Sequence, residues 1–395
     1  MQDNFLRFDG LNSPIRVVGC ESLLNDLSLY FPAWTYHISA PDDQAPFATL
    51  IGNDHRFHLS AIDKAPSIHT TAVNAVCDLI AVIAQQIPRE NPDQLCLHAA
   101  SAKIGKGLIV FPATRRAGKS TLMAALASKG VALFGDDILP VTTVPGQPLF
   151  GLAGGVALRL RKPLPPEVPT SLLTYLNANP GPENRQYRYV PSAEIISHGE
   201  QSPITAFVHL ERAENGSTRL EPLSRGKMLK SLMKQNFARD GTAQHILSAL
   251  FSLAKNTSSW VLTYSNLDEA AEVLLERFEN SSPNRFLAEI VSNPAEITID
   301  SSPIDPAKQL NRHPEASVEV LDGEAFVATR DMTRIMHANE GAQRVWALLE
   351  EPTSPAEAVE IICAAFPDAD ASTIEQETQT VFEQFKACGL TAFAD

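Results

Sequence analysis

Residues 108–122 constrain this chain more than any other stretch. The apolar run Leu108-Ile109-Val110-Phe111 enters the loop Pro112-Ala113-Thr114-Arg115-Arg116-Ala117-Gly118-Lys119-Ser120-Thr121, and a second apolar run, Leu122 to Ala127, leaves it. Strand, tight loop and helix in that order make a phosphate cradle, because backbone N–H groups and the positive end of the helix face the anion. In such a loop Lys119 reaches the β- and γ-phosphates and the Ser120 hydroxyl ligates Mg²⁺. Thr114, Arg115, Arg116, Ala117, Gly118, Lys119, Ser120 and Thr121 are therefore the candidate nucleotide contacts. Ala113 stands where the first glycine of the usual pattern belongs, which requires a negative φ at that position.

The next element gives the loop a chemistry. After the predicted helix, Lys129-Gly130 closes a turn, and Val131-Ala132-Leu133-Phe134 reads as a short buried strand ending in Gly135-Asp136-Asp137. Carboxylates at the C-terminal end of a strand lie where α/β sheets hold ligands. One of the pair can hold Mg²⁺ while the other takes a proton from an attacking hydroxyl. Upstream, Leu95 to Ala100 reads as a strand carrying His98, followed by a turn at 103–107. A lone histidine among apolar residues usually packs in a core. Beside a phosphate loop and two carboxylates, His98 can instead orient an Asp or the γ-phosphate.

Leu97-His98-Ala99-Ala100, the loop 112–122 and Gly135-Asp136-Asp137-Ile138-Leu139-Pro140 together resemble the HPr kinase-related P-loop kinases. The resemblance implies an α/β P-loop kinase core of the HPr kinase/PEP carboxykinase type, using ATP and Mg²⁺ to phosphorylate a Ser or Thr hydroxyl of a protein or peptide. It implies Lys119, His98 and Asp136 as catalytic residues, with Asp136 the base. Ser120 and Asp137 become the metal ligands, and the roles of the two aspartates can be exchanged. Pro-Ala at the loop entry is familiar in that family, which accommodates Ala113. Arg159 and Arg161 alternate along a predicted strand and share one face, either protecting a sheet edge or contacting phosphate or substrate. Arg188 sits in the basic, aromatic segment 185–191, which reads as a half-exposed strand or a substrate clamp. The glycine-rich, acid-ended run that HPr kinases carry near here is absent, which argues against HPr itself as acceptor.

Charge divides the chain. Residues 316–395 hold 15 acidic and 4 basic residues, a net of −11 out of −14 for all 395 residues. The remainder is close to neutral. The expected organisation is a small α+β region over 1–90, a kinase-like region over 91–283, a Ser/Pro-rich connection over 284–315 and a separate domain over 316–395. In that last segment three short strands (318–321, 325–328, 333–337) precede three helices, begun by Asn339, Ser354 and Ser372. Residues 336–342, 345–349, 353–366 and 382–390 resemble the PqqD-like peptide chaperones, or RiPP recognition elements, with a winged-helix-like fold. The resemblance implies that a precursor's leader peptide adds a strand to the small sheet. A winged-helix DNA reader is the rival, and a net charge of −11 argues against nucleic acid.

Five scattered cysteines without a C-x-x-C pair indicate a reducing compartment and no zinc site. No signal peptide or bilayer-length apolar run is evident, so the expectation is a cytoplasmic protein with no membrane partner, for which a homo-oligomer is possible. Three functions fit these readings. One is a kinase acting on a peptide held by its leader. The second is a small-molecule or metabolic-protein kinase whose acidic domain serves assembly. The third is an ATP-binding peptide scaffold without turnover.

Overall fold

The computed structural model describes residues 2–53, 55–112, 117–165, 168–237, 242–280, 304–314, 316–329 and 335–394. The chain forms two compact units, one comprising Met1–Ser224, Ser231–Asp240 and Asn256–Ala288, the other Arg225–Lys230, Gly241–Lys255 and Glu289–Asp395.

Among the described residues the larger unit holds three sheets, of six, nine and two strands, the smallest pairing Leu158–Arg161 with Tyr187–Val190. Its N-terminal sheet has six strands in the order Tyr36–Ser39, Asp3–Phe8, Ile15–Gly19, Ala48–Asn53, Arg56–Ala61, Lys64–His69. The helix Ala72–Glu90 packs on it, with Val76, Leu79, Ile80, Ile83 and Ile87 buried at helical spacing. Thr71 caps this helix by accepting a hydrogen bond from the Asn74 backbone N–H. At one end of this core the rings of Trp34 and His198 stack with centroids 3.8 Å apart and planes 10° from parallel. Burial pushes His198 down to about 4 from an ordinary 6.5, against the pull of the Gly154 carbonyl and Asp9. The imidazole is thus neutral in the fold, and between those two values the unfolded chain binds the extra proton. Stability is therefore full above the unfolded value and declines as pH falls toward about 4. Thermal melts should show Tm falling across that window, with a shallower fall in His198→Gln. Equal slopes for the two proteins would remove this account.

The second sheet has nine strands. Seven run in the order Ala132–Gly135, Ala100–Ile104, Gly107–Phe111, Gln201–Arg212, Phe150–Leu152, Leu139–Thr142, Gln94–Leu97. Ser258–Tyr264 lies parallel to Gln201–Arg212 and carries Arg219–Pro222 on its other side. Gly107–Phe111 is fully buried and also parallel to Gln201–Arg212. The helix Lys119–Ser128 buries Leu122 through Ala127 without interruption, as an apolar helix inside a core must.

One expectation is corrected here. Residues 95–100 are not a single strand: Gln94–Leu97 pairs with Leu139–Thr142, whereas Ala100–Ile104 pairs with Gly107–Phe111 and Ala132–Gly135. His98 lies at the break, where its backbone N–H donates to the Gln235 carbonyl at 2.6 Å. That bond satisfies the donor that leaves the ladder.

The smaller unit has the expected strand and helix order. Ser317–Leu321, Glu324–Ala328 and Ile335–Ala338 form an antiparallel sheet with Glu324–Ala328 central. Three helices follow it, Glu340–Leu348, Pro355–Ala365 and Ala371–Ala387, and the unit also takes in most of the helix Ala243–Asn256. Asn339 and Ser354 cap the first two, the latter through a complete capping box with Glu357. The third cap is Asp370 rather than Ser372. Its carboxylate accepts from the Thr373 N–H and from both the Ser372 and Thr373 hydroxyls, more donors than a serine could satisfy. The expected connection also ends earlier than 315: Ile304 and Leu310 lie in this unit's core beside Val345, Phe382 and Leu390. The strand Leu310–Arg312 pairs with Thr391–Phe393. Among the described residues, no helix is long and apolar enough to cross a membrane.

Candidate phosphate-site cluster

Gly118 begins the site. Its φ of +88° is left-handed, and a Cβ there would lie 2.2 Å from the Tyr264 hydroxyl oxygen. Only glycine meets both conditions. The Tyr264 hydroxyl donates to the Ala117 carbonyl at 3.1 Å, which ties the loop's exit to the strand Ser258–Tyr264. Lys119, Ser120 and Thr121 form the first helical turn, where backbone N–H groups have no intrahelical acceptor. Thr114, Arg115 and Arg116, with Ala113, lie outside the described residues.

Asp136 and Asp137 follow the strand Ala132–Gly135, as expected. Their surroundings differ sharply. Asp136 is 3% exposed, and its Oδ2 accepts from the Arg159 backbone N–H at 3.1 Å. Its Oδ1 is buried without a hydrogen-bond partner among the described residues. Burial and then the neighbouring Asp137 charge push the Asp136 carboxyl up, and the Arg159 N–H and Ser120 hydroxyl offset this only in part.

Asp137 goes the other way. Burial alone would raise it, but the Arg159 guanidinium, 2.9 Å from Oδ2, outweighs this and holds the carboxyl below its ordinary range. His98 Nε2, 3.5 Å from Oδ1, and the Lys119 charge add to the effect. Two adjacent carboxyls thus have separated proton affinities, a pattern that divides labour in active sites.

Arg159 is the hub. Besides Asp137, it donates to the Cys77 Sγ and lies over the Tyr187 ring, 5.0 Å from its centroid. Burial raises the Cys77 thiol, so it accepts this bond as a neutral group. Sequence reasoning missed Cys77 as a site neighbour and placed Tyr187 only within the segment 185–191, without its contact to Arg159. Cys77 lies 82 positions from Arg159 on a helix of the N-terminal core, and no local pattern connects them.

The other candidate arginines separate. Cross-strand register puts Arg159 opposite Tyr189 and Arg161 opposite Tyr187, all on one face. Arg188 pairs with Leu160 on the other face and donates to the Leu176 carbonyl at 2.5 Å, near the end of the helix Thr170–Ala178. It therefore faces away from the aspartates. Arg161 is exposed and lines a neighbouring cavity.

The small sheet and three helices of the other unit have a counterpart among known families. Residues 320–390 match the family model of coenzyme PQQ synthesis protein D (PqqD). The acidic C-terminal segment therefore carries a PqqD-like domain. Among solved structures, the chain is similar to the Hpr(Ser) kinase/phosphatase from Coxiella burnetii, at 15% sequence identity and a TM-score of 0.25. That match covers 46% of this chain and 94% of the other. No curated protein matches the chain.

Proposed function

We propose that the larger unit is an ATP-dependent kinase and that its acceptor is a Ser or Thr hydroxyl of a ribosomally made precursor peptide, held through its leader by the PqqD-like domain. The observation that carries this reading is the convergence of Lys119, Ser120, Asp136, Asp137, His98 and Arg159 beside a glycine-started helix N-terminus. Helix N-terminus and Lys119 suit the phosphates of a nucleotide. A carboxylate fixed from two sides is positioned to receive a proton from a hydroxyl, with its ion pair to Arg159 serving orientation rather than basicity.

The two aspartates fit the exchanged assignment better than the first one. Asp136, buried beside the Ser120 hydroxyl with an unpartnered oxygen, suits Mg²⁺, because a cation there would remove the cost of the uncompensated charge. When bound, Mg²⁺ would neutralise charge on the phosphates. Asp137 then takes the proton. His98 and Arg159 fix its orientation, and Lys119 draws the transferring group toward the helix N-terminus. Arg159 thereby acts as a positioning residue.

The PqqD-like domain supports a peptide acceptor over a free metabolite. Its strand Ile335–Ala338 is an edge of the three-stranded sheet, the kind of element to which a leader adds as a further strand. A segment of net charge −11 also favours a basic leader. The deciding experiment incubates the protein, ATP and Mg²⁺ with any short Ser/Thr-containing peptide found encoded beside its gene. Mass spectrometry should find one added phosphoryl group. An unmodified peptide, with a free amino acid or sugar phosphorylated instead, would favour the small-molecule reading.

A further inference from the structure

Two strand positions beyond Arg159, the larger unit has a cavity of about 420 Å³ lined by residues that all carry a polar or charged group. Arg161, Lys162 and Arg185 supply three cations, and none of the lining residues is acidic. Lys162 pairs with Glu183 at 3.1 Å, outside that lining. Among the described residues, neither Arg161 nor Arg185 has an ion-pair partner.

A second wall is the start of the 19-residue helix Ala72–Glu90, contributed by Thr71 and Asn74. The Asn184 amide donates to Thr71 Oγ1 and Asn74 Oδ1, both at 3.0 Å, and fixes that wall against the segment carrying Arg185. Two unpaired guanidinium groups and the positive end of a long helix therefore meet in one space. Its chemistry selects an anion.

The position indicates which anion. Arg159 and Arg161 share a face of the strand Leu158–Arg161, and Arg159 holds Asp137. Successive same-face positions on a strand are about 6.7 Å apart, and an extended peptide has the same spacing. We propose that this cavity is an acceptor-side subsite for an acidic side chain, Asp or Glu, two residues from the hydroxyl to be phosphorylated. The proposal rests on the kinase reading above for its register and on Arg161 and Arg185 for its charge preference.

The test uses the intact protein with ATP and Mg²⁺ and synthetic Ser peptides carrying Glu or Gln at each position from three before to three after the Ser. Glu two residues away should raise kcat/KM about ten-fold over Gln, the yield of two exposed charge pairs. In R161Q/R185Q the Glu/Gln ratio should fall to about one. Both side chains are exposed, so folding should tolerate the exchange, and a melting curve checks it. Fluorescence anisotropy of the same peptides, with inorganic phosphate as competitor, reads binding independently of turnover. If no peptide is phosphorylated but a binding preference for Glu disappears in R161Q/R185Q, the kinase reading fails and the anion-binding subsite stands. A wild-type ratio near one, a ratio unchanged in the double variant, or binding of inorganic phosphate with no effect of peptide charge overturns the subsite.

Discussion

Asp137→Asn should lower phosphoryl transfer by about 100- to 10,000-fold while nucleotide affinity is retained, the range expected when a positioned proton acceptor is removed. Asn keeps the shape and one oxygen for Arg159 and His98, so the site remains assembled while losing basicity. Asp136→Asn should give a different defect. Its Oδ1 has no hydrogen-bond partner among the described residues and Ser120 lies beside the carboxyl, so loss of the charge should raise the Mg²⁺ concentration needed for half-maximal rate. Excess Mg²⁺ should then restore part of the turnover. A Mg²⁺ titration of both variants separates the two assignments: partial rescue of Asp137→Asn instead would return the metal to Asp137. If both variants turn over like the wild type, neither aspartate has the role assigned to it; if wild type and variants all bind nucleotide and none transfers a phosphoryl group, a nucleotide-binding scaffold takes the kinase's place.

The parts of this site that sequence revealed are those whose chemistry is local. Gly118-Lys119-Ser120 is a contiguous strand-to-helix turn, and Gly135-Asp136-Asp137 ends a strand of only four residues. Each could be read because neighbours in sequence are neighbours in space. Arg159 was a candidate, but its role was open, since alternation along a strand gives a face and not a partner. Its bonds to Asp137 and Cys77 cross 22 and 82 positions, and only tertiary packing sets them. The contrast between the surroundings of Asp136 and Asp137 was illegible for the same reason. Adjacent identical residues differ only through the Arg159 guanidinium and His98 on one side and an unpartnered buried oxygen on the other. In the smaller unit two helix starts were legible from Asn339 and Ser354 because capping is local chemistry. Leu310–Arg312 was not, because a three-residue strand is specified by its distant partner Thr391–Phe393.

Removing the leader from the precursor should raise KM about 100-fold or more and leave kcat nearly unchanged. A peptide held at one site presents its acceptor to the other at an effective concentration near millimolar, and such linkage typically adds two to four orders of magnitude in apparent affinity. The kinase pocket then has no need for tight binding of its own, consistent with a subsite built from exposed Arg161 and Arg185. The leader supplied as a separate peptide should compete with the full precursor and should fail to rescue the leaderless one, since only a covalent tether raises local concentration. Charge gives a second check. With 15 acidic and 4 basic residues over 316–395, attraction for a basic leader is screened by salt, so the advantage of the full precursor should narrow as ionic strength rises. Equal kcat/KM for the full and leaderless peptides would reject tethering and leave the PqqD-like domain an assembly role. A large gap that ignores salt would retain tethering and assign the leader's affinity to strand addition and apolar contacts on the edge Ile335–Ala338.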